Sequence, residues 1–209
     1  MDKPIRAITI SREYGSGGGI IARILAHRLG WRLVDSALID EIARIANVNP
    51  QIAARLDESV DPWFHRLTKA LWRGGYEGSA TFVLADVFDA DAMVSLCQRI
   101  ITEAAEIGQC VIVGRGGQCI LQDRQDVFHV SVYAPLGQRI DRLRDRKPPG
   151  MDLAALAQET DRRRAAYIRR YFGQDWTDRH LYNLAICSSC GLERAASVII
   201  QAAGLSEPA

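Results

Sequence analysis

The stretch that most constrains the fold is a strand-like run that passes through a glycine cluster into a helical pattern. Residues 8–22 read ITISREYGSGGGIIA, with four glycines among residues 15–19. A strand, a glycine-rich turn and a helix in this order bring main-chain N–H groups and the positive end of a helix together. A tight turn needs only one or two glycines. We therefore favour an anion-binding loop, formed by Gly15, Ser16, Gly17, Gly18 and Gly19.

This loop departs from the pattern GxxxxGK[ST] of lysine-containing phosphate loops. When residues 15–17 are aligned as the glycine turn, Arg12 replaces the first glycine and Gly18 replaces the lysine. Arg12 lies where the strand ends, and a guanidinium can bind two phosphate oxygens at once. We predict that Arg12 substitutes for the lysine. Either Ser11 or Ser16 would assist a metal ion, and the sequence does not fix the metal ligands.

Strands of buried type alternate with helical patterns along the chain. Gly30 and Gly108 are predicted to end the helices that precede them, and Ser36 is a candidate N-cap of the helix that it begins. This alternation predicts an α/β fold, a parallel sheet with helices on both faces. Ligands bind beyond the carboxyl ends of such strands, which directs attention to residues 11–19, 35, 114–117 and 134 onwards. The predicted strands are 5–11, 31–35, 110–114, 126–134 and 182–188, and the predicted helices are 18–30, 36–46, 83–107, 135–146, 153–172 and 191–204.

The composition is that of an ordinary globular chain. The 209 residues are 48% hydrophobic and 24% charged, with a formal net charge of +1, so no global charge favours nucleic acid as a partner. No apolar stretch approaches the roughly 20 residues that cross a bilayer, and no signal sequence is visible. We expect a cytoplasmic protein that binds neither nucleic acid nor membrane. The oligomeric state cannot be read from the sequence.

Two of the five cysteines form a lone CxxC, the segment CSSC at 187–190. A zinc site would need two more ligands, and the histidines show no matching spacing. A redox pair would need to open a helix after a strand. We favour the simpler interpretation, in which Cys187 and Cys190 are small residues at a strand end and all five thiols are reduced.

Five segments in order resemble the cytidylate kinase-like family, a branch of the nucleoside monophosphate kinases that lacks the loop lysine. The first segment of that family usually reads SRE(F/Y)GSGG, so the resemblance makes the missing lysine a family trait. Ile20 lies where AMP- and CMP-kinase loops have a threonine that helps hold Mg²⁺. The segments span nearly the whole chain: ITISREYGSGGGIIA, LGWRLVDSALI, VIVGRGGQCIL, FHVSVYAPLGQRIDRL and DRRRAAYIRRYFGQDW.

The resemblance implies one three-layer P-loop NTPase-like domain over residues 1–209. Its core would be residues 1–46 and 109–209, with a helical insertion on the acceptor side at 47–108. A basic lid would lie at about 139–172. This organisation is that of a kinase that closes over two substrates.

The resemblance also assigns site residues. Asp35 and Arg115 would bind the acceptor, because they match the family positions that follow the second strand and a later one. Asp161 and Arg164 match the lid helix, and they also fit an ordinary i,i+3 ion pair. Asp161 would orient an arginine or hold Mg²⁺ through water. Further lid candidates are Arg142 and Arg146, with Arg139 and Arg142 an alternative pair of similar spacing.

The implied activity is transfer of the γ-phosphoryl group of ATP, with Mg²⁺, to CMP, dCMP or a related nucleoside monophosphate. In this reading Arg12, Arg142, Arg146, Arg164 and Asp161 are the catalytic residues. Val113 and Gly116 replace acids that flank the arginine in cytidylate kinases, so base recognition is not carried over. Two alternatives stay open: a nucleotide-binding sensor or regulatory protein with little catalysis, and a kinase of a different small acceptor.

Overall fold

The computed structural model describes residues 3–39, 66–67 and 90–208. It divides into two compact units, one of residues 1–33 and 109–209 and the other of residues 34–108. The predicted insertion at 47–108 falls within the second unit, and most of it lies outside the described residues. The division of the chain into a core and an insertion stays a prediction.

The described strands form one five-stranded sheet in the order β2-β3-β1-β4-β5. In the centre, β1 pairs in parallel with β3, Ala7 opposite Cys110, and with β4, Ala7 opposite Val127. On the outer side β4 pairs in parallel with β5. The strands are β1 (Ala7–Arg12), β2 (Arg32–Val34), β3 (Cys110–Val113), β4 (Val127–Tyr133) and β5 (Leu184–Cys187).

Helices follow the strands along the chain. The described ones are α1 (Gly18–Leu29), α2 (Ala90–Ile107), a one-turn helix α3 (Gly117–Ile120), α4 (Leu136–Arg144), α5 (Leu153–Phe172) and α6 (Leu192–Ala202). The 3₁₀ turns Arg179–Leu181 and Ser188–Cys190 precede β5 and α6. None of the described helices is both long and apolar enough to cross a membrane.

One face of the sheet carries the apolar core of the first unit. Alternate strand residues such as Ile8, Ile10 and Val130 pack with the apolar stripes of α1 and α6, including Ile21 and Ile199. These side chains are fully buried. Burying a Val, Leu or Ile side chain contributes about 1.5–3 kcal/mol, so this layer fixes α1 against the central strands. The amino end of α1 is thereby held at the carboxyl end of β1.

The predicted fold is confirmed, and each predicted strand overlaps an observed one, with β1 extending one residue further, to Arg12. Gly30 ends α1 in a left-handed conformation, φ 63°, as the helix-stop prediction requires. The predicted N-cap Ser36 is wrong: Asp35 caps instead, because its carboxylate accepts the Leu38 N–H at 3.1 Å. Only residues 36–39 of the predicted helix 36–46, and only residues 90–107 of the predicted helix 83–107, are described.

Candidate functional site

The glycine loop joins β1 to α1 and leaves the amino end of α1 open. Gly15 and Gly17 have φ 83° and 84°, a left-handed backbone that glycine adopts without cost. Gly17 is the N-cap of α1, and no side chain caps that helix end. The first amides of α1 are therefore available to an anion in the loop.

Ser16 is the only non-glycine residue between Gly15 and Gly19, and it is completely buried. Its hydroxyl has no hydrogen-bond partner among the described residues. A buried hydroxyl without a partner is costly, and a phosphate oxygen in the loop would supply the missing acceptor. Ser11, the other serine considered for the metal, is already engaged: its hydroxyl accepts hydrogen bonds from Trp176 Nε1 at 2.6 Å and Tyr182 Oη at 3.2 Å. Ser16 is thus the better candidate of the two.

Arg12 occupies the space that a side chain at position 18 would need. A Cβ built on Gly18 would lie 2.5 Å from the Arg12 Cβ and 3.0 Å from its Cγ. At the far end of the side chain, the Arg12 guanidinium overlaps the position of a Cβ built on Gly114. Arg12 therefore runs from the start of α1 to the end of β3, and glycines at both positions make room for it.

Arg12 therefore lies at the topological switch point of the sheet. The connection from β1 runs to β2 at one edge of the sheet, whereas the connection from the neighbouring strand β3 runs in the opposite direction, to β4. In open α/β sheets such a switch point opens a crevice beyond the carboxyl ends of the strands, where ligands bind. The Arg12 guanidinium lies between the ends of β1 and β3, at that crevice.

Arg115 follows β3 in a strained backbone. Its φ is 51°, between Gly114 at 73° and Gly116 at 78°, so three consecutive residues are left-handed. A left-handed conformation costs a non-glycine residue roughly 1–2 kcal/mol. Residues held in this way cluster at functional sites, and Gly116 cannot carry a side chain because the Phe172 ring fills that space.

Arg139 and Asp161 hold the main chain of Tyr14 from two sides. The Tyr14 N–H donates to Asp161 Oδ1 at 2.7 Å, and Arg139 Nε donates to the Tyr14 carbonyl at 2.7 Å. Arg139 also pairs with the second oxygen of Asp161, and its Nη1 lies 3.3 Å from Glu13 Oε2. Glu13 in turn accepts the Ala134 N–H at 3.1 Å. This network fixes the entry to the glycine loop.

Arg164 holds the same entry two residues earlier, at Arg12. Its Nη1 donates to the Arg12 carbonyl at 2.7 Å and lies 3.6 Å from Asp161 Oδ1. Its guanidinium stands 5.6 Å from the centre of the Tyr14 ring. Burial lowers the pKa of Arg164, and the charge of Asp161 opposes that shift. An arginine keeps its proton through such a shift, so the positive charge stays beside the loop.

Arg142 holds the far end of the loop. Its Nη1 donates to the Ser16 carbonyl and to Ser188 Oγ, each at 3.0 Å, and its Nη2 donates to the Ser188 carbonyl at 3.1 Å. Ser188 Oγ donates to the same Ser16 carbonyl at 2.6 Å. Arg146 differs from these arginines, because its side chain is exposed beyond the end of α4. The loop is thus held by α4, α5 and the turn before α6.

The structure brings the predicted residues Arg12, Arg142, Arg164 and Asp161 together around residues 12–16. Sequence reasoning missed Glu13, Tyr14 and Ser188, and it gave Arg139 only as an alternative. Glu13 and Tyr14 lie inside the quoted motif, but nothing in a sequence shows that Asp161 contacts the main chain of Tyr14. Asp35 belongs to the second unit, where its carboxylate caps the helix that begins at residue 36.

The electrostatics suit a polyphosphate. Four guanidinium groups, of Arg12, Arg139, Arg142 and Arg164, lie around the loop, and the carboxylates of Glu13 and Asp161 pair with Arg139. The excess positive charge and the open helix end would both stabilise negative oxygens. Within the described residues no group of three or more His, Cys, Asp or Glu side chains is placed to hold a metal ion.

Comparisons with known proteins identify the family of the chain and its fold. A sequence model of the cytidylate kinase-like family matches residues 7–190. A cytidylate kinase from Colwellia psychrerythraea (strain 34H / ATCC BAA-681) is 36% identical over 62 residues, which are 30% of this chain and 27% of that enzyme. This relative is thus matched over less than a third of its length.

Two solved structures share the fold over almost the whole chain. The crystal structure of an uncharacterized protein from Eubacterium ventriosum ATCC 27560 superposes with a TM-score of 0.68 at 20% identity, covering 95% of this chain and 98% of that one. Shikimate kinase from Bacteroides thetaiotaomicron superposes with a TM-score of 0.52 at 13% identity, covering 96% and 99%. At these identities the likeness concerns the fold, which is that of P-loop kinases.

Proposed function

The chain belongs to the cytidylate kinase-like family, and on that premise we propose that it transfers the γ-phosphoryl group of ATP to CMP, dCMP or a related nucleoside monophosphate. The observation that carries the proposal is the position of Arg12. Its Cβ lies 2.5 Å from the position that a Cβ at residue 18 would take, which supports a cation at the end of β1 in place of a lysine at the start of α1. A charge at that place neutralises the transferring phosphoryl group.

The donor triphosphate would lie in the loop. The open amides of α1 and the hydroxyl of Ser16 would bind its oxygens, and Arg12 would reach across the crevice between β1 and β3. Mg²⁺, when bound with ATP, would supply further charge neutralisation. Of the described hydroxyls considered for the metal, Ser16 fits because it lacks a partner.

The lid arginines position the loop in this proposal. Arg164 fixes the carbonyl of Arg12, Arg139 fixes that of Tyr14, and Arg142 fixes that of Ser16. Each therefore sets the orientation of a loop peptide whose amide or side chain meets the phosphates. Preorganised dipoles of this kind need not reorient during the reaction, which is why they stabilise its transition state. Arg146 stays a candidate for a contact made on substrate binding.

Arg115 would bind the acceptor phosphate. It follows β3 at the same end of the strands as Arg12. It is also the one charged residue among three consecutive left-handed residues, with a glycine on each side. Asp35 stays a proposed acceptor contact. Because Val113 and Gly116 replace the acids of cytidylate kinases, the base preference is the part of the proposal that most needs measurement.

The decisive experiment is ADP release from Mg-ATP, measured with a panel of nucleoside monophosphates and without acceptor. We expect ADP release that depends on CMP, dCMP or another member of the panel. Arg12→Ala should lower turnover by about a hundred- to a thousandfold, the usual cost of losing one transition-state charge contact. The matched control is Arg23→Ala, which removes an exposed arginine from α1, the helix that follows the loop, and should leave turnover unchanged. Unchanged turnover in Arg12→Ala would show that Arg12 does not replace the lysine.

A second candidate function is nucleotide sensing with little catalysis. The observation that favours it is that Arg139, Arg142 and Arg164 already donate to main-chain carbonyls of the loop. Groups engaged in this way hold a phosphate site ready but add less charge to a migrating phosphoryl group. Thermal stabilisation by ATP without acceptor-dependent ADP release would support this candidate. The absence of binding by any nucleotide would refute both functions.

A further inference from the structure

The CxxC segment forms the turn that links β5 to the phosphate loop. Cys187 ends β5 and is the N-cap of the 3₁₀ turn Ser188–Cys190, and α6 begins at Leu192. Cys187 is the last residue of β5 and Cys190 lies two residues before α6, so the pair spans the junction between a strand and a helix. Between the two cysteines, Ser188 is completely buried.

The two thiols differ from the other cysteines in exposure. Cys190 is exposed and Cys187 is partly exposed, whereas Cys97, Cys110 and Cys119 are buried. Burial raises the pKa of Cys110 to about 12 and that of Cys119 to about 11, so these thiols stay protonated and inert. Oxidants in solution therefore reach Cys190 first and Cys187 next.

The turn brings the two sulfurs within reach of each other. Residues three apart in a 3₁₀ turn eclipse one another at a rise of about 2.0 Å per residue, so their Cα atoms lie roughly 6 Å apart. Disulfides form at Cα separations of about 4.4–6.8 Å. Cys190 Sγ already donates to the Cys187 carbonyl at 3.3 Å. A bond needs both side chains to rotate out of their present contacts and the turn between them to tighten.

The same turn supports the glycine loop at three points. Ser188 Oγ donates to the Ser16 carbonyl, and Arg142 holds both the hydroxyl and the carbonyl of Ser188. Leu192, immediately after the turn, lies so close to Gly17 that a Cβ there would meet Leu192 Cδ2 at 2.6 Å. Any change in the backbone of residues 187–191 is therefore transmitted to Ser16 and Gly17.

We propose that Cys187 and Cys190 are a redox modification site, at which a reversible disulfide loosens the phosphate loop. A small disulfide such as oxidised glutathione is the oxidant. The thiolate of Cys190 attacks one of its sulfurs, which forms a mixed disulfide and releases one glutathione thiolate. The thiolate of Cys187 then attacks the Cys190 sulfur, which closes the protein disulfide and releases the second. Two electrons pass to glutathione, and the two protons lost by the cysteines protonate the released thiolates.

The closed disulfide draws the two ends of the turn together and moves Ser188 out of its contacts with Ser16 and Arg142. The loop then loses the support at its far end and exchanges its amide hydrogens faster. The predicted effect on ATP affinity rests on the proposed function, whereas the bond and the loosening of the loop do not.

The test compares reduced, glutathione-oxidised and re-reduced protein. Intact mass and peptide mapping should show a loss of two hydrogen atoms confined to the peptide with Cys187 and Cys190, restored by dithiothreitol. Hydrogen–deuterium exchange of amides in residues 13–20 should become at least tenfold faster on oxidation. ATP affinity, titrated on the same samples, should weaken at least tenfold.

Cys187→Ser and Cys190→Ser should each abolish the intramolecular bond and the change in exchange, while Cys119→Ser should change neither. Absence of the bond after oxidation would overturn the inference, and so would a bond that leaves exchange in residues 13–20 unchanged. If the reduced protein does not bind ATP, the proposed function fails, and the mass and exchange measurements still decide the redox site.

Discussion

Gly18→Ala adds one methyl group where Arg12 leaves no room for it. The added Cβ would lie 2.5 Å from the Arg12 Cβ and 3.4 Å from the Val132 Cβ. A Cβ is fixed by its own backbone, so rotation of the Arg12 side chain cannot relieve the contact. Either the end of β1 or the start of α1 must move.

Overpacking of a well-packed site costs typically 1–3 kcal/mol. For a domain of about 150–250 residues each kcal/mol lowers the melting temperature by about 2–4 °C, so Gly18→Ala should lower it by roughly 2–12 °C. Gly19→Ala is the matched control, because it adds the same methyl group one residue later and meets nothing within 4 Å. Replacing a helical glycine by alanine gains up to about 1 kcal/mol there. The two variants should therefore differ by about 1–4 kcal/mol.

A second pair of variants identifies the clashing atom. Arg12→Ala keeps the Cβ, so Gly18→Ala should stay destabilising in that background. Arg12→Gly removes the Cβ, and the cost of Gly18→Ala should then disappear. The coupling free energy between the two positions comes from urea unfolding of four proteins: the unaltered chain, Arg12→Gly, Gly18→Ala and the double variant. We expect about 1–3 kcal/mol, as for residues in contact. Equal stability of Gly18→Ala and Gly19→Ala, or a cost that persists in the Arg12→Gly background, would refute this placement of Arg12.

Three further predictions follow from the same structure. Arg115→Gly removes a left-handed backbone cost of about 1–2 kcal/mol, so stability should hold or rise, as in the control Gln109→Gly, whose φ is 52°. Titration should show weaker acceptor binding with donor binding kept, and unchanged acceptor affinity would disprove the role. Asp161→Asn removes one of the two carboxylates that pair with Arg139 and should cost up to about 3 kcal/mol in urea unfolding, whereas Asp141→Asn in an exposed pair should cost under about 1. Burial lowers the pKa of His129, so the unfolded chain binds more protons below about pH 6.5, and stability should fall as pH drops through that value. His129→Gln should remove this part of the pH dependence of the melting temperature, and an unaltered profile would contradict it.

The fold was predictable because its signals are local. β1 and β4 are apolar, β-branched runs, and α1 has its apolar residues at helical spacing up to a glycine stop. Each of these patterns reflects burial within one element, which a single sequence displays. The N-cap prediction chose the wrong one of two neighbouring residues. Asp35 and Ser36 both have side chains that cap helices, so the local sequence does not distinguish them.

The glycine loop was predictable from one segment and the lid residues Arg142, Asp161 and Arg164 from others, but their contacts with the loop were not predictable. Gly15 to Gly19 identified the loop, but the partners of that loop come from residues more than a hundred positions away. Asp161 is 147 residues from Tyr14, whose amide N–H donates to it. Ser188 is 172 residues from Ser16, whose carbonyl accepts its hydroxyl. A contact of this kind has no periodicity and no spacing, so only the fold reveals it.

Arg12 and Gly18 show why two departures from a pattern can be one change. In the sequence, an arginine stands where a glycine belongs, and a glycine stands where a lysine belongs, six residues later. In the structure the start of the Arg12 side chain occupies the volume beside Gly18, so Arg12 leaves no room for a side chain at position 18. The exchange also changes the chemistry of the loop. A lysine on a helix end is a mobile point charge, whereas the guanidinium of Arg12 is planar. The main-chain carbonyl of Arg12 accepts a hydrogen bond from Arg164 at 2.7 Å. In the proposed function the loop uses this cation in place of a lysine, and that arrangement requires that position 18 has no side chain.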